Sequence, residues 1–160
     1  METAVTNKKN ELSWMFSKEA FGLLMANFAT VLRSPNDLNA RGSMLLGAAI
    51  AGCAIESSML GAAHSTANPL TAYFDIVHGQ AVGMMLPHVV RFNGEIEECR
   101  TAYSKLLDFG KLGQAENASD NTERLAKHLA KLLELADMPV TLQASGVEEA
   151  KLPLLAEEAS

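Results

Sequence analysis

Apolar residues recur every third or fourth position over most of this 160-residue chain, and alternating apolar and polar runs of useful length are absent. That period is the signature of helices with one buried face. Ser17 reads as a cap for a first helix, whose stripe runs through Ala20, Leu23, Leu24, Phe28 and Leu32. Ser34-Pro35-Asn36-Asp37 breaks the pattern, and Asp37 suits the positive end of the next helix. The uncharged run from Met44 to Ile55 then carries Gly47, Ala48, Ala49, Ala51, Gly52 and Ala54. Small residues four apart let another helix approach closely, so this segment reads as a central helix, apolar all round and buried. Its 12 uncharged residues fall short of the ~20 needed to cross a bilayer. It loosens near Ser57-Ser58.

Residues 60–68 read as a further helix ending at Asn68, because proline disfavours helical geometry in the residue before it. Gly79 opens a segment with Val82, Met84, Met85 and Leu86, and Pro87 sits near a kink. Glu95 to Leu107 forms the next helix, closed by a loop with Gly110 and Gly113. Asp120 with Glu123 resembles a capping box, and Leu125, Leu129, Leu132, Leu133 and Ala136 continue that helix to Pro139. Val140 to Leu142 is too short for a strand. Val147 to Ala156 is a last short helix containing Pro153. The expected fold is all-α: a polar N-terminal segment over 1–15 and one helical domain over 16–160.

Composition narrows the function classes. With 48% hydrophobic and 20% charged residues the chain reads as globular, not disordered. A net charge of −6 argues against nucleic acid as a partner. Cys53 and Cys99 read as reduced, unpaired thiols, and the polar opening Met1-Glu-Thr-Ala-Val-Thr lacks the apolar core of a secretory signal. The expectation is a cytoplasmic protein without a membrane segment.

Candidate chemistry centres on His64 and His78, 14 residues apart on either side of Pro69. Imidazole is the commonest side-chain metal ligand, yet even a catalytic zinc normally has three protein ligands. His64 and His78 also have a plain reading as hydrogen-bonded core histidines. His88 reads as packing or a helix-end contact, and His128, between Lys127 and Lys131, as part of a solvated helix face. Glu56 reads as a buried, hydrogen-bonded carboxylate or, less simply, as a substitute ligand. The eight methionines read as core filler.

Ala51-Gly52, Leu60-Gly-Ala-Ala-His64, Asn68-Pro-Leu70, His78-Gly79 and Leu86-Pro-His-Val89, followed by Arg91-Phe-Asn93, together resemble the iron-containing (group III) alcohol dehydrogenases. The resemblance covers their C-terminal helical domain, also found in dehydroquinate synthase-like proteins, from about residue 16 to residue 158. It implies a divalent metal, iron or zinc, held by one Asp and three His beside NAD(P). His64 and His78 match the last two histidine ligands. The first two ligands belong to an Asp-x-x-x-His pattern that this chain does not contain, and the dinucleotide-binding domain with its Gly-Gly-Gly-Ser turn is also absent. Asn68 stands where many members carry a histidine near the nicotinamide, and Thr71 where many carry glycine. Catalytic residues remain unassigned.

Two functions of different class follow. One is the C-terminal part of a metal-dependent, NAD(P)-linked oxidoreductase of small alcohols or aldehydes, inactive alone and dependent on a separate cofactor domain. The other is a non-catalytic helical module that binds itself or a partner. Apolar surface left uncovered around Leu60, Met84, Met85 and the Gly/Ala helix leads to the expectation of a homo-oligomer, most simply a dimer, whose interface includes the segment from residue 44 to 88.

Overall fold

The computed structural model describes residues 1–159, which form seven helices with no strand among them. Helix α1 (Glu11–Arg33) starts six residues before the expected Ser17 cap. Asn10 is the cap: its side chain accepts from the Ser13 N–H, while the Ser13 hydroxyl accepts from the Asn10 N–H. Ser17 is instead buried inside the helix, bonded to the Ser13 carbonyl and to Thr3. The polar look of the first residues conceals a short 3-10 turn, Glu2–Ala4, all of whose residues are buried.

Asp37 caps α2 (Leu38–Glu56) by accepting from the N–H groups of Asn39 and Ala40. This helix packs chiefly along α1. Gly47 makes the close approach possible, since a Cβ there would meet Leu24 Cγ at 3.0 Å. The expectation of a buried central helix fails. Only Ala40, Gly47 and Ala54 are buried, while Leu38 is 81% and Leu45 74% exposed. Because α2 is apolar all round, its sequence could not say which face lacks a partner. Its 19 residues make it the one described helix long and apolar enough, by length and composition, to cross a membrane.

Helix α3 (Ala62–Phe74) does not stop at Asn68 but runs through Pro69. Pro69 lacks an N–H and crowds the carbonyl one turn back, but burial of Ala67, Pro69 and Leu70 holds the helix together. Asp75, at φ 52°, ends it in the left-handed region that Asp tolerates better than most residues. Ile76 then turns into the core and α4 (His78–Asn93) begins.

Helices α5 (Glu97–Phe109) and α6 (Ala118–Leu135) follow. The α6 cap is Asn117, three residues before the expected Asp120, and it accepts from the Asp120 N–H. The α6 stripe matches its sequence pattern, with Leu125, Ala126, Leu129 and Leu133 buried. The last expected helix divides into a 3-10 turn, Glu149–Lys151, and α7 (Leu152–Glu158), with Pro153 in the first turn where its missing N–H costs nothing.

Two cores result. Phe21, Val90, Tyr103, Leu106, Leu107, Leu125 and Leu129 form one between α1, α4, α5 and α6. Leu70, Ile76, Met84, Leu133, Val147 and Leu155 form the other around α3, α4, α6 and α7. Helices α4 and α6 run through both, and Arg91 clamps Glu123 across them through two bonds of 2.7 and 3.1 Å.

Candidate functional site

Each candidate histidine stands in the first turn of its helix, His64 on α3 and His78 on α4. The chain turns at Asp75 in the left-handed region, and α4 packs against α3 so that the rings lie 5.5 Å apart between centroids at an angle of 54°. Two imidazoles sharing a tetrahedral metal at ordinary bond lengths have centroids roughly 5 Å apart. The pair therefore fits a divalent metal in donor chemistry and spacing. It does not complete a site, because no cluster of three or more His, Cys, Asp or Glu able to hold a metal occurs among the described residues.

The nearest acidic side chain at this site is one that the sequence reading passed over. Glu2 is 8% exposed, and its Oε2 bonds His64 Nδ1 while its Oε1 accepts from the Ala63 N–H at 2.7 Å. Nothing in the residue pattern marked Glu2, since its role depends on the opening turn folding against α3. A cavity of about 170 Å³ adjoins His64, lined by Glu2, Ala51, Ile55, Leu60, Val82 and Leu86 among others. Its lining side chains are apolar apart from those of Glu2, Thr3 and His64. A larger, open depression of about 540 Å³ lies between Leu142, Val147 and Leu152 and shares no lining residue with it.

Asn68 lies one turn beyond His64 on α3 and is exposed. Thr71 follows on the same face. Its buried hydroxyl oxygen has no hydrogen-bond partner among the described residues, which costs stability. The other sequence candidates stay apart. Glu56 is exposed at the end of α2, contrary to the expectation of a buried carboxylate, because it falls on the side turned away from α1. His88 is exposed, not packed, as the α4 positions around it, Pro87 and Val89, take the core-facing side. His128 is half-buried on α6, and burial, with Lys131 beside it, lowers its pKa. Cys53 is exposed and Cys99 buried, both free, and burial pushes the Cys99 thiol up. Of the methionines, Met84 is core, whereas Met15, Met59 and Met138 are 42–50% exposed.

The whole chain, residues 1–160, matches the family described as Fe-containing alcohol dehydrogenase family, C-terminal. It is 27% identical over 160 residues to the 1,3-propanediol dehydrogenase of Citrobacter freundii, covering 99% of this chain and 41% of that protein. Aldehyde-alcohol dehydrogenase 2 of Entamoeba histolytica is 41% identical over 95 residues, covering 59% of this chain and 11% of that protein. The crystal structure of a 1,3-propanediol oxidoreductase superposes with a TM-score of 0.91 at 25% identity, covering 99% of this chain and 41% of that one. A sulfoacetaldehyde reductase from Bifidobacterium kashiwanohense, solved in complex with NAD+, shares the fold at a TM-score of 0.82 and 20% identity. The chain thus spans about two fifths of the length of the relatives that it matches end to end.

Proposed function

Because this chain belongs to the iron-containing alcohol dehydrogenase family and corresponds to its C-terminal helical domain, we propose that it is the two-histidine part of a metal-dependent, NAD(P)-linked alcohol or aldehyde oxidoreductase. The observation that carries this reading is the pairing of His64 and His78 at 5.5 Å beside an apolar cavity. When bound, a divalent metal supplies Lewis acidity at an alcohol or carbonyl oxygen. His64 and His78 contribute two of its donors, and the others come from outside this pair. Ile55, Leu60, Val82 and Leu86 keep water from the space next to His64 and suit a small, largely apolar substrate. Asn68, exposed one turn along from His64, stands where the family resemblance puts a residue near the nicotinamide, and on this reading it faces a cofactor-binding portion.

On this reading the chain alone is inactive, since hydride transfer needs substrate and nicotinamide held together in one closed cleft. The test is a chimera carrying the remaining three fifths of a relative such as the Citrobacter freundii enzyme ahead of this chain. Metal-dependent reduction of NAD+ by a small alcohol, abolished by His64→Ala or His78→Ala, is the expected result. Turnover by the 160-residue chain alone, or a chimera indifferent to both substitutions, overturns it.

The second reading, a non-catalytic module that associates with itself, draws on the uncovered apolar side of α2. Leu38, Leu45 and Leu46 are all more than half exposed there.

A further inference from the structure

Helix α3 starts at Gly61, which has no side chain to satisfy the first-turn N–H groups. Those groups are met from the far end of the sequence. Glu2 Oε1 accepts from Ala63 N–H at 2.7 Å and from His64 N–H at 3.4 Å, across 61 and 62 residues. The other oxygen, Oε2, bonds the His64 ring at Nδ1. One buried carboxylate thus binds both the helix end and the imidazole that the helix carries.

We propose that Glu2 is the positioning residue of this site: it caps α3 and holds His64 as its Nδ1–H tautomer, leaving Nε2 as the open donor. A carboxylate offers only acceptors, so the ring nitrogen touching it carries the proton and the opposite nitrogen keeps its lone pair. A histidine that donates one N–H to a carboxylate is fixed in both tautomer and ring orientation, and its free nitrogen becomes a better ligand. His78 makes no competing hydrogen bond among the described residues and lies 5.5 Å from the His64 ring.

The carboxylate is itself tightly placed. Ala4 is fully buried in the first core, and Thr3 Oγ1 lies 2.7 Å from Ser17 Oγ, which bonds the Ser13 carbonyl at 2.6 Å. Gly61 supplies the room, because a Cβ there would lie 3.0 Å from Glu2 Oε1. The first turns of α1 thus reach His64 through Glu2.

The value of an open Nε2 toward a metal rests on the functional reading above; the tautomer does not. The test is a long-range 1H–15N spectrum of the 15N-histidine-labelled protein at mildly alkaline pH, with His64 assigned by its loss in His64→Ala. Wild type is expected to show an Nδ1–H ring. In Glu2→Gln the one carbonyl oxygen is taken by the α3 amides and the NH2 faces Nδ1, so the ring switches to Nε2–H. Zinc affinity measured by calorimetry then falls about tenfold or more. Ser17→Ala weakens the same turn without altering the carboxylate and should retain Nδ1–H, which separates positioning from general loosening. Should Glu2→Ala fail to fold, Glu2→Gln alone decides. An Nε2–H or doubly protonated ring in wild type, or an unchanged ring in Glu2→Gln, overturns the proposal. A tautomer switch without any change in zinc affinity upholds Glu2's role and counts against the metal reading.

Discussion

At the scale of single residues, the buried polar groups respond most sharply to change. Tyr103 is 1% exposed, and its hydroxyl accepts from the Asn93 amide at 3.2 Å. Burial, partly offset by that bond, pushes its pKa up to about 12. The neutral phenol is therefore favoured in the folded state. Its contribution is complete below the unfolded value near 10 and is lost as pH rises from there to about 12. Urea melts of wild type should lose on the order of 2–3 kcal/mol through this group over that window. Tyr103→Phe should remove this part of the alkaline slope, and an unchanged slope would refute the assignment. The hydroxyls that secure the opening turn are worth less. Breaking the Thr3–Ser17 bond with Ser17→Ala should cost about 1 kcal/mol in the same melts.

At the scale of elements, α2 offers the clearest contrast because its two sides meet different surroundings. Gly47 faces α1, where a Cβ would touch Leu23 and Leu24 at 3.0–3.2 Å. Gly47→Leu should destabilise by about 1–3 kcal/mol through overpacking. Leu45, 74% exposed, faces away, and Leu45→Ser should change the stability by less than about 0.5 kcal/mol at protein concentrations low enough to keep the chain monomeric. Equal effects at both positions would mean that α2 is covered on both sides. The Asn117 cap of α6 is a further check. Asn117→Ala removes the acceptor for the Asp120 N–H and should cost about 1 kcal/mol. These boundaries were only partly legible. The stripe on α6 and the place of Asp37 at the start of α2 were plain in the pattern. The start of α1 was missed because Asn10 and Ser13 cap each other within a stretch that looks merely polar. Pro69 misled the reading of α3, since core burial outweighed a local preference.

For the whole molecule, the question is what covers α2 and completes the donor set. An apolar flank this open favours association, and a closed dimer is the simplest form. Met84 does not belong to that surface, contrary to the expected interface, since it is 2% exposed within the second core. Leu38, Leu45 and Leu46 stand in its place. Sedimentation equilibrium at tens of micromolar is expected to show a dimer, reduced to the 17.1 kDa monomer by Leu38→Lys with Leu45→Lys. A wild-type monomer would remove the self-association reading. The two-imidazole set also implies weak binding, since structural or catalytic affinity needs more ligands. Calorimetry with zinc should give a dissociation constant no tighter than micromolar, and nanomolar binding abolished by His64→Ala would show further donors in place.

Sequence alone determined the helical class, because a 3.6-residue apolar period with no alternating runs of useful length leaves helices only other helices to pack against. It also determined the family, because the run from Leu60 to Asn93 is long and specific. Which side of α2 meets a neighbour was decided only in the tertiary structure, for a helix apolar all round carries no directional signal. The partnership of Glu2 with His64 was decided there as well. The two are 62 residues apart, and no local pattern records a contact made by folding the first turn of the chain onto the start of its third helix.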